Sequence, residues 1–251
     1  MTAKMTGMYR PFLDATRTAL TALTAALLGC ALPLMVAAAP ASQPVPDTLA
    51  QRLKPCASCH GAEGRASPSG YQPRIAGKPA GYLYNQLINF RAGRRSNAAM
   101  TLLTDNLSEA YLREIASYYG GLDLPYPAPL KADASAAVLE RGRQLVHQGD
   151  AARGVPACVG CHGAAMTGVQ PALPGLLGLP RDYLIGQIGA WQTGLRRAPA
   201  PDCMRQIALR LGGEDTVALA AWLSAQVVPT DSHPAPRIAT PLPLDCGSGL
   251  R

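Results

Sequence analysis

The chain has 251 residues and a formal charge of +7, a length that allows one or two domains. Its hydrophobic content is 48%, which excludes a chain disordered throughout, and no run of Lys and Arg is dense enough to mark a nucleic-acid surface. It is unusual in holding 23 prolines, seven cysteines and only two phenylalanines, so its cores are short of large aromatic side chains.

Residues 1–41 read as an export leader. Lys4, Arg10 and Arg17 precede an uncharged run from Thr18 to Ala39, and Ala37-Ala38-Ala39 or Ala39-Pro40-Ala41 offers a cleavage site. The run is also long enough to span a bilayer, and Leu27-Leu28-Gly29-Cys30 has the look of an imperfect lipoprotein signal. Cleavage, a retained anchor and lipidation therefore stay open, and all three place the folded part outside the cytoplasm. Cleavage removes Lys4, Arg10, Arg17 and Asp14, which lowers the net charge to +5.

Beyond the leader the chain repeats itself once. Cys56-Ala57-Ser58-Cys59-His60-Gly61 returns as Cys158-Val159-Gly160-Cys161-His162-Gly163, an offset of 102. Tyr82, Gln86, Phe90 and Gly93 return as Tyr183, Gln187, Trp191 and Gly194, and Leu107 and Ile115 as Leu211 and Leu219, with offsets from 101 to 104. So small a drift describes one duplicated unit with short loop insertions, and two copies suit two domains better than a solenoid. The expected domains are 42–121 and 133–227. Between them, 122–132 is a proline-rich linker, and 228–251 is a proline-rich tail that wraps a surface or stays mobile.

Within each repeat the periodicity is helical. Helices are expected over Tyr82–Arg91, from Ser108 as N-cap to Gly120, over Ala134–Gln148 and over Thr216–Gln226. The first repeat begins close to its cysteines, so its N-terminal helix, Asp47–Lys54, is short. No run alternates with period two, and the fold class is all-α: two tandem small domains with much loop.

Cys-x-x-Cys-His is the attachment signature of c-type haem. Two thiols three residues apart reach the two vinyl groups on one edge of the porphyrin, and the next residue's imidazole sits under the iron. Its occurrence twice, at matched places of a repeat in an exported chain, points to two covalently bound haem c groups. Cys56, Cys59, Cys158 and Cys161 would form the thioethers, and His60 and His162 would be the proximal ligands. A zinc site would need more ligands per repeat, and a thioredoxin-like dithiol would need strands around it.

The second axial ligand follows by elimination. Three methionines lie beyond the leader: Met100, Met166 and Met204. Met166 stands four residues after His162, too near to pass round the haem edge. Met100 and Met204 follow their histidines by 40 and 42 residues, and each precedes by seven the leucine that opens a terminal helix. Core packing does not explain a matched pair, and both are expected as axial ligands. His/Met coordination fills the iron's six positions and favours electron transfer over substrate activation.

On these residues the chain resembles the di-haem cytochrome c4 family. The two Cys-x-x-Cys-His-Gly motifs, the turns Arg74-Ile75-Ala76-Gly77 and Leu176-Leu177-Gly178, the segments Tyr82–Arg95 and Tyr183–Arg197, and Met100 and Met204 carry the likeness, from about Asp47 to Gln226. It implies two cytochrome c-like domains with haem propionates facing each other across their interface. It also implies the same axial ligands, and loops beginning at Pro73 and Pro174 whose carbonyls orient His60 and His162. Family members pass electrons in the periplasm, commonly to a terminal oxidase. Two features depart from the pattern: Arg197-Ala198-Pro199-Ala200-Pro201-Asp202-Cys203 before Met204, and the tail with Cys246.

Cys203 and Cys246 are left over, and in an oxidising compartment they are expected to form a disulfide; thiolate ligation by Cys203 is the alternative. Arg94-Arg95 and Arg196-Arg197 are expected on the solvated surface, with propionate pairing as a second reading. His147 and His233 are expected to have no role. The chain is therefore expected to be no enzyme but a periplasmic electron carrier in a respiratory chain. Its donor would be a dehydrogenase or bc1-type complex, its acceptor a terminal oxidase, with peripheral membrane association open. The alternatives are a di-haem subunit of a dehydrogenase, as in a flavocytochrome, or a di-haem peroxidase or thiosulfate dehydrogenase.

Overall fold

The computed structural model describes residues 47–67, 70–129, 131–239 and 241–248; the leader expected over 1–41 lies outside them. The first half begins with α1 (Leu49–Arg52), capped by the Thr48 side chain. Then comes α2 (Lys54–His60), with Pro55 in its first turn, where a missing N–H costs no bond. The N-terminal helix is thus as short as expected. Helix α3 (Ala80–Arg91) starts after Pro79, two residues before the expected Tyr82. Asn97 caps α4 (Ala98–Thr104), accepting the Met100 N–H at 3.0 Å. Ser108 caps α5 (Glu109–Gly120), accepting from Tyr111 N. Helix α5 packs on α3, and Leu53, Leu83, Leu112, Ile115, Ala116 and Tyr119 form the core beneath.

The second half repeats the order. Ser135 caps α6 (Ala136–His147), two residues inside the expected start. It is followed by α7 (Val159–His162), α8 (Arg181–Thr193), α9 (Cys203–Ala208) and α10 (Gly213–Ser224). Helix α10 starts three residues before the expected Thr216, where the Asp215 carboxylate accepts the Gly212 N–H. Among the described residues one small strand pair departs from the expected all-helical pattern: β1 (Gly168–Val169) pairs antiparallel with β2 (Leu173–Pro174). Gly168, at φ +104°, lets the two loop segments close to a distance no side chain would fit. Leu145, Val146, Leu177, Leu184, Leu219 and Leu223 fill the second core.

In this half α6 crosses α10 at Gly142, where a Cβ would strike the Ala218 carbonyl and come within 2.6 Å of Trp222 Cβ. The helices can approach this closely only because that position has no side chain.

Segment 122–132 and the tail are both fastened to the body. The Arg74 guanidinium lies 3.9 Å over the Tyr126 ring and donates to the carbonyls of Leu124 and Pro125. The tail wraps the second half, as the first of its two expected courses. Ala235 N–H donates to Gly168 O at 2.9 Å, Gln170 N–H donates to Ala235 O at 2.8 Å, and Cys246 is disulfide-bonded to Cys203 with Cα atoms 5.1 Å apart. Among the described residues no helix is long and apolar enough to cross a membrane.

Replacing Gly142 by Val forces α6 off α10 and should destabilise the second half by about 1–3 kcal/mol. Thermal or urea unfolding followed by circular dichroism checks this; an unchanged midpoint would mean that the crossing is not tight.

Candidate functional site

Cys56 and Cys59 stand three apart on α2 and so share one face of the helix. His60 ends it. The chain then turns at Gly61, φ +77°, where a Cβ would collide with the Ala66 carbonyl. His60 is buried, and its Nδ1 lies 2.9 Å from Pro73 O. A carbonyl can only accept, so the proton sits on Nδ1 and the Nε2 lone pair is left for a metal. Burial holds the imidazole below its ordinary pKa, in the neutral form a metal needs.

The second half builds the same arrangement. Cys158 caps α7, which carries Cys161 and His162 and stops at Gly163, φ +84°. His162 Nδ1 donates to Pro174 O at 2.7 Å, and burial again pushes the imidazole pKa down. These are the two carbonyls the family likeness implied. Burial also raises the Cys56 and Cys161 thiols and pushes Cys158 up to about 11, so they are poor thiolates and poor redox dithiols. Among the described residues no three His, Cys, Asp or Glu side chains converge as a metal site, which a zinc centre would need.

Met166 is 2% exposed inside the second core, which leaves it a packing role. Met100 and Met204 are half-buried in the first turns of α4 and α9. Asn97 caps the first of these helices, and Asp202 caps the second, accepting from Arg205 N at 3.0 Å. Met204 therefore stands one position earlier relative to its cap than Met100 does. Both helices are tied to the preceding long helix at matched places: Thr101 Oγ1 donates to Phe90 O, and Arg205 Nη1 donates to Trp191 O.

Of the four arginines expected on the solvated surface, Arg197 is exposed and Arg94 half-buried, while Arg95 and Arg196 depart from the expectation. Arg196 is 5% exposed and Arg95 half-buried, not solvated, because the halves meet here. Backbone bonds cross from Ser96 N to Leu195 O at 2.8 Å and from Arg197 N to Arg94 O at 2.7 Å. Arg95 donates to Gln86, Gln187 and Tyr183; Arg196 donates to Gln187, Gln86 and Tyr82, the repeat-related set. Lys78, also buried, donates to Gly175 O from the other half. Among the described residues no Asp or Glu pairs with Arg95, Arg196 or Lys78. Burial and the neighbouring Arg95 charge push the Arg196 pKa down, and although burial alone would raise Tyr82, the two guanidiniums pull it down. The Trp191 ring lies 3.8 Å under the Arg196 guanidinium, and its buried indole N–H has no protein acceptor.

Unneutralised buried cations and an orphaned donor call for an anion at this interface. Haem propionates would supply one. With neutral imidazoles whose Nε2 is free and paired thiols on one helical face, the residues present fit two haems.

Two such helical domains in tandem define a di-haem c-type cytochrome. No protein-family model matches the chain. It is 40% identical, over 72% of its length and 82% of the relative's, to a protein named thiosulfate dehydrogenase electron acceptor from Thiomonas intermedia. It is 32% identical to cytochrome c4 of Pseudomonas aeruginosa over 67% of its own length and 82% of that protein's. The solved structure of reduced cytochrome c4 from Pseudomonas stutzeri matches 70% of this chain and 95% of that one, at 27% identity and a TM-score of 0.61. A thiosulfate dehydrogenase structure from Marichromatium purpuratum matches 69% of this chain at 36% identity and a TM-score of 0.61, but the match covers only 36% of that chain. The chain belongs to the di-haem cytochrome c4 family and carries two covalently bound haem c groups.

Arg196→Met removes the donor shared by Tyr82, Gln86 and Gln187. It should weaken the contact between the halves by about 2–4 kcal/mol. Calorimetry should then show the halves melting at separate temperatures; a single unchanged transition would contradict this.

Proposed function

We propose that this chain carries single electrons outside the cytoplasm as the electron acceptor of a periplasmic dehydrogenase, with a thiosulfate dehydrogenase as donor. The haem domains are 42–121 and 133–227. His60 and Met100 hold the first iron and His162 and Met204 the second, with thioethers from Cys56, Cys59, Cys158 and Cys161. When bound, each haem supplies a reversible one-electron couple. The protein's part is to keep Nε2 of each imidazole unprotonated, to place a thioether as the second axial ligand, and to set cationic groups beside the propionates. A thioether favours the reduced iron, and neutralising propionate charge does the same.

The donor assignment is carried by the likeness, over 82% of its length, to a relative named as an electron acceptor. The likeness to proteins named cytochrome c4 favours a second reading, a free carrier between a bc1-type complex and a terminal oxidase. A peroxidase would need one iron with an open or releasable position, which two methionine ligands argue against.

Mixing the purified cytochrome with a thiosulfate dehydrogenase and thiosulfate should reduce both haems within the mixing time, seen as the sharp reduced α-band. Thiosulfate alone should not. Reduction only by a bc1-type complex would establish the second reading, and thiosulfate oxidation by the cytochrome alone would make it an enzyme. Met100→Ala and Met204→Ala should each open one centre to carbon monoxide and lower that centre's potential. Wild-type protein that binds carbon monoxide readily would refute the ligand set.

A further inference from the structure

Both methionine helices have a side-chain cap and a bond to the preceding long helix, but the second has a further fastening. In the first half, Asn97 caps α4 and the preceding Ser96 N–H is bonded to Leu195 O. In the second half, α9 has six residues against seven in α4, both too few to hold themselves, and Pro199 and Pro201 in the approach have no N–H to donate. Beyond the Asp202 cap and the Arg205 bond to Trp191 O, this segment is fastened by the tail. Cys203, the neighbour of Met204, is bonded to Cys246 across a sequence separation of 43, and Gly247 N–H donates to Pro201 O at 2.8 Å. Gly247 sits so close that a Cβ would collide with the Ala200 carbonyl. Asn85 of α3, in the other half, donates to Ser248 O at 2.6 Å.

Upstream, the same tail is bonded to the loop between His162 and Pro174, the residue whose carbonyl holds His162. Thr167 Oγ1 donates to His233 O at 3.0 Å, and Ala235 exchanges backbone bonds with Gly168 and Gln170. One segment is thus fastened at one end to the histidine-bearing loop of the second centre and at the other, covalently, to its methionine-bearing helix. The first repeat has no such strap among its described residues.

We propose that the tail and its Cys203–Cys246 disulfide are a brace that positions Met204, so that the closed state of the second centre, and not of the first, depends on an intact disulfide. This rests on the reading of Met204 as an axial ligand. Met204 would be held by the brace, and Cys203, consumed in the disulfide, would be unable to compete as a thiolate ligand.

The test compares wild type with the Cys203→Ser/Cys246→Ser double variant, both with two haems attached. The readouts are the methionine-to-iron charge-transfer band of the oxidised protein and carbon monoxide binding to the reduced protein. Wild type should show the band from both centres and exclude carbon monoxide. The variant should lose the second centre's share of the band and bind carbon monoxide at that centre alone, with the Met100 centre unchanged. A variant that keeps both shares and stays closed overturns the brace and leaves the ligand reading standing. Wild type lacking the second share overturns the ligand reading and the brace with it. Should the variant fail to fold, the folded wild-type protein is treated with a water-soluble phosphine, which converts the disulfide to two thiols as it is oxidised to the phosphine oxide. Cleavage is confirmed by intact mass after alkylation, and the same two spectra decide.

Discussion

At each centre a proline carbonyl accepts the Nδ1 proton of a buried histidine, at 2.9 Å for His60 and 2.7 Å for His162. This bond fixes the tautomer, turns the Nε2 lone pair outward and holds the ring in one orientation. Everything else in each half can be seen as bringing that carbonyl back to the histidine. Gly61 and Gly163 reverse the chain directly after the imidazole, in a conformation with positive φ where a Cβ would meet backbone or a neighbouring side chain. The loops that follow return to Pro73 and Pro174, and α3 and α8 then carry the chain away under the core.

The contact between the halves adds a second constraint. One buried guanidinium, one half-buried one and a buried lysine lie there with no carboxylate among the described residues, sharing neutral acceptors that each half contributes to the other. Such a cluster is costly in isolation. Propionates in the same region would offset that cost, and would then couple cofactor binding and domain docking through one set of charges. The halves are not equivalent: Trp191 and its orphaned N–H stand in the second where Phe90 stands in the first, and Lys78 reaches from the first half into the second without a counterpart, Leu179 taking its place.

The haem chemistry was legible in the sequence because it is local. Two cysteines at i and i+3 with a histidine next to the second have one main use in a chain expected to be exported, and the duplication made coincidence untenable. The caps at Ser108 and Ser135 marked helix starts for the same reason, since a capping hydroxyl acts within three residues. What escaped was non-local. Arg95 and Arg196 look like surface residues after a helix, and only the mutual approach of two repeats buries them. A signal was present in Tyr82 and Gln86 recurring as Tyr183 and Gln187, polar groups on matched helices that suit an approximately two-fold contact. The β1–β2 pair depends on Gly168 and Gly175, which let two loop segments close without side chains between them, and the course of the tail on bonds to distant backbone, so neither leaves a periodic trace. The Cys203–Cys246 bond was accessible only through compartment and parity.

In the proposed ligand set each iron lies between an imidazole fixed by a proline carbonyl and a methionine thioether. Proton nuclear magnetic resonance of the fully reduced protein tests it directly, because a methyl group bound over a porphyrin face is strongly shielded by the ring current. Two separate methionine methyl signals far upfield of the protein envelope are predicted, one lost in Met100→Ala and the other in Met204→Ala. A spectrum with one such signal, or with none, would contradict the account.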